Sequence, residues 1–83
     1  MSYRLDHIAL LVRDLDEEIA FLTGVLGLTE IPNPMGGTTI RWIEIGDGRR
    51  FHVQGGDVSA VHIEKQTHFA LSATDFDAIL ARL

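Results

Sequence analysis

The sequence predicts an α+β fold, made of one βαβββ unit followed by the strand and helix that begin a second unit. Three observations support this prediction. An apolar strand near the N-terminus leads directly into a capped amphipathic helix. Three further segments rich in β-forming residues follow without another helix between them. The strand and helix pattern then returns 61 positions after its first appearance.

The repeat relates HIALLVRDLDEEIAFL, which starts at His7, to HFALSATDFDAILARL, which starts at His68 and ends at Leu83. Seven of the 16 aligned positions are identical, and each copy begins with a histidine. We assign residues 1–57 to the first unit, 58–66 to a linker and 67–83 to an incomplete second unit. Three strands are then expected after Leu83, in a whole of about 120 residues. Exchange of strands between two copies is the alternative way to complete the sheets.

The first strand, Leu5 to Val12, is nearly all apolar. Side chains alternate along a strand, so two faces can be assigned. One face carries His7, Ala9 and Leu11, and the other carries Ile8, Leu10 and Val12. The second face is more uniformly aliphatic and is predicted to pack against the helices.

Asp14 is the predicted N-cap of the first helix, with Glu17 three residues later as in a capping box. Gly27 is expected to end the helix in the left-handed conformation. The second helix should begin after Thr74 or Asp75. Its apolar stripe is expected to pack on a sheet and comprises Phe76, Ile79, Leu80 and Leu83.

The remaining predicted strands are separated by turn-forming residues. They span Leu28 to Ile31, Thr38 to Ile45, Arg49 to Gln54 and Thr67 to Ser72, and a local extension is predicted at Val61 to Ile63. The segment from Gly46 to Gly48 has the composition of a hairpin turn.

Composition excludes several classes of protein. With 83 residues the chain forms one domain at most, and its net charge of −5 argues against binding to nucleic acid. It has no cysteine, so it has neither a disulfide framework nor a reactive thiolate. The longest apolar run, Ile8 to Val12, is too short to cross a membrane. A cytoplasmic protein is therefore expected.

Three histidines are candidate metal ligands. His7 and His68 occupy equivalent positions of the repeat, and two related units packed about a pseudo-twofold axis would bring them together. His52 shares a strand face with Gln54, opposite Phe51 and Val53, and would join them if that face lines the same cavity. Three imidazoles with an open position are typical of a catalytic metal site. His62 lies in the linker and is not expected to be a ligand.

Trp42, Gln54 and Glu44 are candidate substrate-binding residues. Trp42 and Glu44 share one face of their strand, opposite Ile43 and Ile45. Trp42 is either a pocket wall or part of the core. Glu44 is either a buried ligand or base, or a solvated carboxylate. No catalytic base or nucleophile can be assigned from the sequence.

Residues 6–28 (DHIALLVRDLDEEIAFLTGVLGL), 42–56 (WIEIGDGRRFHVQGG) and 67–80 (THFALSATDFDAIL) together resemble the vicinal oxygen chelate superfamily. This resemblance implies a glyoxalase-like fold, in which paired βαβββ units form a curled mixed sheet around a divalent metal ion such as Zn, Ni, Fe or Mn. It places metal ligands at His7, His52 and His68. The glutamate that completes the family's site on its last strand has no counterpart before Leu83.

The resemblance implies a metal-dependent enzyme of the glyoxalase I type, a lyase or isomerase that binds a small oxygen-rich substrate through the metal. The family also contains fosfomycin-type thiol transferases, extradiol dioxygenases and bleomycin-binding resistance proteins, the last of which bind an antibiotic without catalysis. A homodimer is expected. An inactive fragment is a further hypothesis.

Overall fold

A computed structural model describes residues 2–59, 66 and 68–83 of the chain. The predicted extension at Val61 to Ile63 and the residue His62 lie outside this part. The elements are β1 (His7–Val12), α1 (Leu15–Ala20), a π-helical turn (Phe21–Val25), β2 (Thr29–Ile31), β3 (Ile40–Gly46), β4 (Arg49–Gly55) and α2 (Phe76–Arg82). The first unit therefore has the predicted βαβββ order.

The four strands form one curled mixed sheet in the order β1-β4-β3-β2. β1 pairs with β4 in parallel, and the other two pairs are antiparallel. The helix packs on one face of the sheet and leaves the other face open. The buried residues all belong to the helix-covered side and are Ile19, Leu22, Ile43, Phe51 and Val53. The α+β class predicted from the sequence is confirmed.

The alternation predicted for the first strand is also present. Ile8, Leu10 and Val12 pack against the core, whereas His7 and Leu11 are exposed. On β4, Phe51 and Val53 are buried, so His52 lies on the open face. The prediction that His52 and His7 share a face is therefore correct.

The first helix begins and ends as predicted. Asp14 Oδ1 accepts a hydrogen bond of 3.0 Å from the Glu17 backbone N–H. Gly27 has a φ of +73°, and the next backbone N–H, of Leu28, donates to the Leu22 carbonyl at 3.0 Å. The π-helical turn between these ends was not predicted, because its wider hydrogen-bonding pattern has no simple composition signal.

In the second unit the predicted helix is present, but the predicted strand is not. α2 begins one residue after Asp75, but residues 68–73 form no strand, which corrects the prediction for Thr67 to Ser72. A strand requires a partner for its backbone hydrogen bonds, and no described strand pairs with this segment. Instead, the Phe69 ring packs at 5.6 Å from the ring of Phe51.

The apolar stripe of α2 is largely uncovered, contrary to the expectation that it packs on a sheet. Phe76, Leu80 and Leu83 are exposed, and only Ile79 of the stripe is half-buried. The described sheet is already covered by the first helix, so it offers α2 little apolar surface. α2 is held at its end by Arg82, whose Nε donates to the Val25 carbonyl at 2.7 Å. No helix in the described ranges is long and apolar enough to span a bilayer.

Candidate functional site

The open face of the sheet brings together side chains from its three longest strands. Strand pairing places Ala9 beside His52 and His52 beside Trp42, and it places His7 beside Arg50. Alternation with the buried residues on the other face fixes which side chains point outward. The open face carries His7, Ala9 and Leu11 on β1, Arg50, His52 and Gln54 on β4, and Trp42 and Glu44 on β3.

Three aromatic rings on this face form a stack. The ring centroids of His7 and His52 are 4.0 Å apart with planes inclined by 12°, and those of His52 and Trp42 are 4.1 Å apart with planes inclined by 14°. The guanidinium carbon of Arg50 lies 5.0 Å from the Trp42 ring centroid, within cation–π range. The stack therefore joins two predicted metal ligands to a predicted substrate-binding residue.

Asp6, just before β1, connects the stack to Arg50. Its Oδ2 lies 2.8 Å from His7 Nδ1 and accepts a hydrogen bond of 2.9 Å from the Arg50 guanidinium. The hydrogen bond from His7 and the charge of Arg50 lower the pKa of the Asp6 carboxyl, and they outweigh the opposite effect of burial. Asp6 is therefore a carboxylate at neutral pH.

Burial lowers the pKa of His52, and electrostatic interactions with His7 and Arg50 lower it further against the opposing effect of Asp6. His52 Nε2 is shielded from solvent and has no hydrogen-bond partner among the described residues. The same holds for Arg50 Nε. His52 is thus a neutral imidazole with an unsatisfied nitrogen, which is the form that binds metal ions.

His68 lies apart from the stack. Its Nδ1 is 2.8 Å from the Gln66 carbonyl oxygen, and the ring contacts found in the described part of the chain link His7, His52 and Trp42 without it. Within residues 2–59, 66 and 68–83, no three His, Cys, Asp or Glu side chains form a group able to hold a metal ion. A shared site for His7, His52 and His68 stays a prediction.

The other predicted substrate-binding residues lie at opposite ends of the open face. Gln54 and His52 line a depression of about 260 Å³ together with Ala9, Leu10, Leu11 and Ile40. Glu44 Oε1 accepts a hydrogen bond of 3.2 Å from the Gly48 backbone N–H, in the turn between β3 and β4. A role for these residues in substrate binding also stays a prediction.

Sequence reasoning missed two residues of this site, Asp6 and Arg50. A signal for each was present. Asp6 immediately precedes a candidate ligand, and Arg50 is two positions before His52, so it shares a strand face with it. Their contact depends on the parallel pairing of β1 with β4, whose register the sequence does not give.

Comparison with known families gives a match over residues 4–83 to the Glyoxalase/Bleomycin resistance protein/Dioxygenase superfamily. The chain belongs to this superfamily. The resemblance seen in the sequence is thereby confirmed. No curated protein matches the chain.

Solved structures of this superfamily's fold are similar over 99% of the chain. The oxidase ChaP-H2 is 26% identical with a TM-score of 0.68, and 61% of its chain is covered. The fosfomycin resistance protein FosX from Mesorhizobium loti is 24% identical with a TM-score of 0.67 and 65% covered. FosX from Listeria monocytogenes is 25% identical with a TM-score of 0.67 and 64% covered. The chain therefore spans less than two thirds of the length of these proteins.

Proposed function

We propose that this superfamily member is a divalent-metal-dependent enzyme of the glyoxalase type, a lyase or isomerase. It acts on a small oxygen-rich substrate at the open face of the sheet. His7, His52 and His68 hold the ion, and Trp42, Gln54 and Glu44 contact the substrate. Zn, Ni, Fe and Mn are the candidate ions, since imidazole is a ligand for several divalent metals.

The observation that carries this proposal is the hydrogen bonding of the two repeat-equivalent histidines. Nδ1 of His7 contacts a carboxylate, and Nδ1 of His68 contacts a backbone carbonyl. Both partners are acceptors only, so in each ring Nδ1 carries the proton and the neutral ring has a bare Nε2. Metal-binding histidines in proteins use this same arrangement, in which the second nitrogen donates to a carboxylate or carbonyl.

His52 supports the proposal through its position and its protonation state. Zinc lies about 2.0–2.1 Å from a histidine nitrogen, so two imidazole ligands of one ion have nitrogens no more than about 4 Å apart. The His7 and His52 rings are neighbours, with centroids 4.0 Å apart, but they lie nearly parallel, so a shared ion requires them to tilt toward a common point. Coordination through His52 Nε2 requires the stack to open, because this nitrogen is covered.

When bound, the ion would act as a Lewis acid toward two neighbouring oxygens of the substrate. The chain's own residues would orient the substrate. Trp42 offers an aromatic surface, and Gln54 offers an amide that can both donate and accept beside the depression on the open face. Glu44 lies farther along the face, next to the turn that it stabilises. We assign no general base.

Thiol transfer of the fosfomycin type and oxidation of a catechol-like substrate are alternative reactions of the same site. We keep both reactions as alternatives because the similar structures include two fosfomycin resistance proteins and an oxidase. A non-catalytic protein that binds an antibiotic is the second candidate function. The observation in its favour is the His7–His52–Trp42 stack, because a row of parallel rings offers a flat surface for an aromatic ligand without a metal.

We further propose a cytoplasmic homodimer. Apolar side chains of α2 and of residues 69–71 are exposed, which favours their burial against another protein surface. A second copy of the chain carries the same apolar surface and could cover them. The partners of the protein would then be a small-molecule substrate and its own second copy, with neither nucleic acid nor membrane.

Metal binding by histidine variants tests the proposed function. Protein purified without chelator is titrated with Zn²⁺ by calorimetry, as wild type and as His7→Ala, His52→Ala and His68→Ala. We expect near-stoichiometric binding to the wild type, and its loss in His7→Ala and His68→Ala. His62→Ala, which removes a histidine outside the repeat, is the matched control and should bind normally. Unchanged zinc binding in both repeat variants would reject the proposal.

A further inference from the structure

We infer that Arg50 makes the open face of the sheet selective for a substrate that carries an anionic oxygen group, a carboxylate or a phosphate. The Arg50 guanidinium donates to that group through the N–H donors that Asp6 leaves unused. This inference rests on the proposed function because it takes the open face as the place where the substrate binds. It requires no metal ion.

Arg50 is the only Lys or Arg that the described strands direct to the open face. Arg41 and Arg49 lie at alternate positions of β3 and β4, on the side that the helix covers. Arg41 also has its acceptors within the chain, since all three of its side-chain nitrogens donate to Glu30 or Asp16. Arg50 is therefore the cation that a ligand on the open face would meet.

The Arg50 guanidinium keeps donors that the described residues do not use. A guanidinium carries several N–H groups, and here one of them donates, to Asp6 Oδ2 at 2.9 Å. Glu44 lies directly opposite Arg50 in the pairing of β3 with β4, but its carboxylate accepts from the Gly48 backbone N–H instead. Nε of Arg50 is covered, whereas the side chain as a whole is 25% exposed. A ligand can therefore reach Arg50 at its terminal nitrogens.

The guanidinium is held in position without using these donors. Its central carbon lies 5.0 Å from the centroid of the Trp42 ring, and a cation–π contact of this kind needs no hydrogen bond. The Arg50 backbone N–H donates to the Asp6 carbonyl at 3.1 Å, which fixes the start of the side chain as well. A planar guanidinium that is already fixed suits carboxylate and phosphate, because both accept two parallel hydrogen bonds from it.

Asp6 has the opposite effect on an incoming anion. Its carboxylate takes one donor of Arg50, and its negative charge repels a second anion nearby. Loss of this charge in Asp6→Asn should therefore strengthen anion binding, whereas loss of the Arg50 charge should weaken it. If the Asp6–Arg50 pair served only to hold β1 against β4, both substitutions would be expected to weaken binding.

The indole N–H of Trp42 reports binding at this place, because Trp42 is the one tryptophan of the chain and lies against Arg50. Its NMR shift is followed in metal-free protein during titration with acetate, inorganic phosphate or the neutral acetamide, at constant ionic strength. We expect saturable shifts with at least one of the anions and none with acetamide. The anion that binds more tightly identifies the preferred group. An equal response to acetate and acetamide, or no response to either anion, would overturn the inference.

Variants assign the binding to Arg50. We expect Arg50→Gln to bind the anion about 10–100-fold more weakly, and Arg50→Lys, which keeps the charge without the planar fork, to lie between it and the wild type. Asp6→Asn should bind about fivefold more tightly. Arg49→Gln removes the same charge from the other face and is the matched control, with unchanged affinity.

Unfolding curves establish that each variant is folded, and Arg50→Lys decides the test if Arg50→Gln is not. Wild-type affinity in the Arg50 variants, or weaker binding by Asp6→Asn, would contradict the inference. The zinc titration is a separate measurement. Normal zinc binding without anion binding rejects the inference alone, whereas anion binding without zinc binding rejects the proposed metal-dependent function alone.

Discussion

Arg41 shows how single residues connect the helix to the sheet. Its guanidinium binds both carboxylate oxygens of Glu30, at 2.7 Å and 2.6 Å, and also reaches Asp16 Oδ1 at 3.0 Å. Glu30 lies on β2 and Asp16 on α1, so one cation links three elements. Hydrogen bonding from Arg41 lowers the pKa of the Glu30 carboxyl below its ordinary value of 4.5.

This pKa shift predicts a pH dependence of stability. A carboxyl with a lowered pKa in the folded state adds stability above pH 4.5, and this contribution is lost as the pH falls through the folded-state value. The difference in unfolding free energy between the wild type and Glu30→Gln should therefore shrink as the pH is lowered from 6 into this range. Urea unfolding of both proteins at several pH values measures it. A difference that stays constant with pH would contradict the assignment.

For single residues, the sequence predicted which face of the sheet a side chain lies on better than it predicted which residues that side chain contacts. Strand alternation placed His7 and His52 on one face correctly, because period-two patterning depends only on the local chain, whereas it left open whether Trp42 lines that face or the core. The Asp6–His7–Arg50 contacts could not be predicted, since they depend on the register between β1 and β4. The position of His68 was beyond sequence reasoning for a related reason, because its segment has no pairing partner in the described sheet.

At the level of secondary structure, the cap of the first helix has a measurable role. Asp14 occupies the N-cap with an extended backbone and satisfies the Glu17 backbone N–H. Substitution of an N-cap aspartate by alanine typically costs about 1 kcal/mol. We expect Asp14→Ala to lower the unfolding free energy by about this amount, as measured by denaturant unfolding.

The second helix provides the matched control for this prediction. Asp75 holds the N-cap position of α2 but makes no side-chain hydrogen bond there. Asp75→Ala should therefore change stability much less than Asp14→Ala. Equal losses in the two variants would show that general charge effects, and not the cap, explain the result.

The sequence predicted the helix ends correctly. It predicted strands correctly only for segments that pair with a neighbouring strand in the described sheet. Asp14 and Gly27 mark the helix ends through local geometry, so the sequence suffices to find them. The 68–73 segment has the composition of a strand, but strand formation depends on hydrogen bonds to a neighbour. The π-helical turn at Phe21–Val25 also escaped prediction, because its wider hydrogen-bonding pattern has no simple sequence signal.

For the whole molecule, the uncovered stripe of α2 predicts self-association. The Phe76 side chain is 61% exposed, and it lies in the second repeat unit, whose described residues form no strand. We expect the wild type to have a native mass of twice 9.2 kDa at micromolar concentration, as measured by light scattering. Phe76→Asp should give monomers.

Met35 provides the control for the dimer prediction. Its side chain is 85% exposed in the loop before β3, outside the second unit. Met35→Asp should therefore remain dimeric. A monomeric wild type, or a Phe76→Asp variant with the wild-type mass, would contradict a dimer formed through α2.

The central claim concerns the metal site, and X-ray absorption at the zinc edge tests it most directly. We expect the spectrum of the Zn²⁺-loaded protein to show at least two imidazole ligands, with zinc–nitrogen distances of about 2.0–2.1 Å. His7→Ala and His68→Ala should each remove imidazole scattering or prevent loading. Saturable zinc binding without imidazole ligands, or a wild type that binds no zinc, would contradict the account.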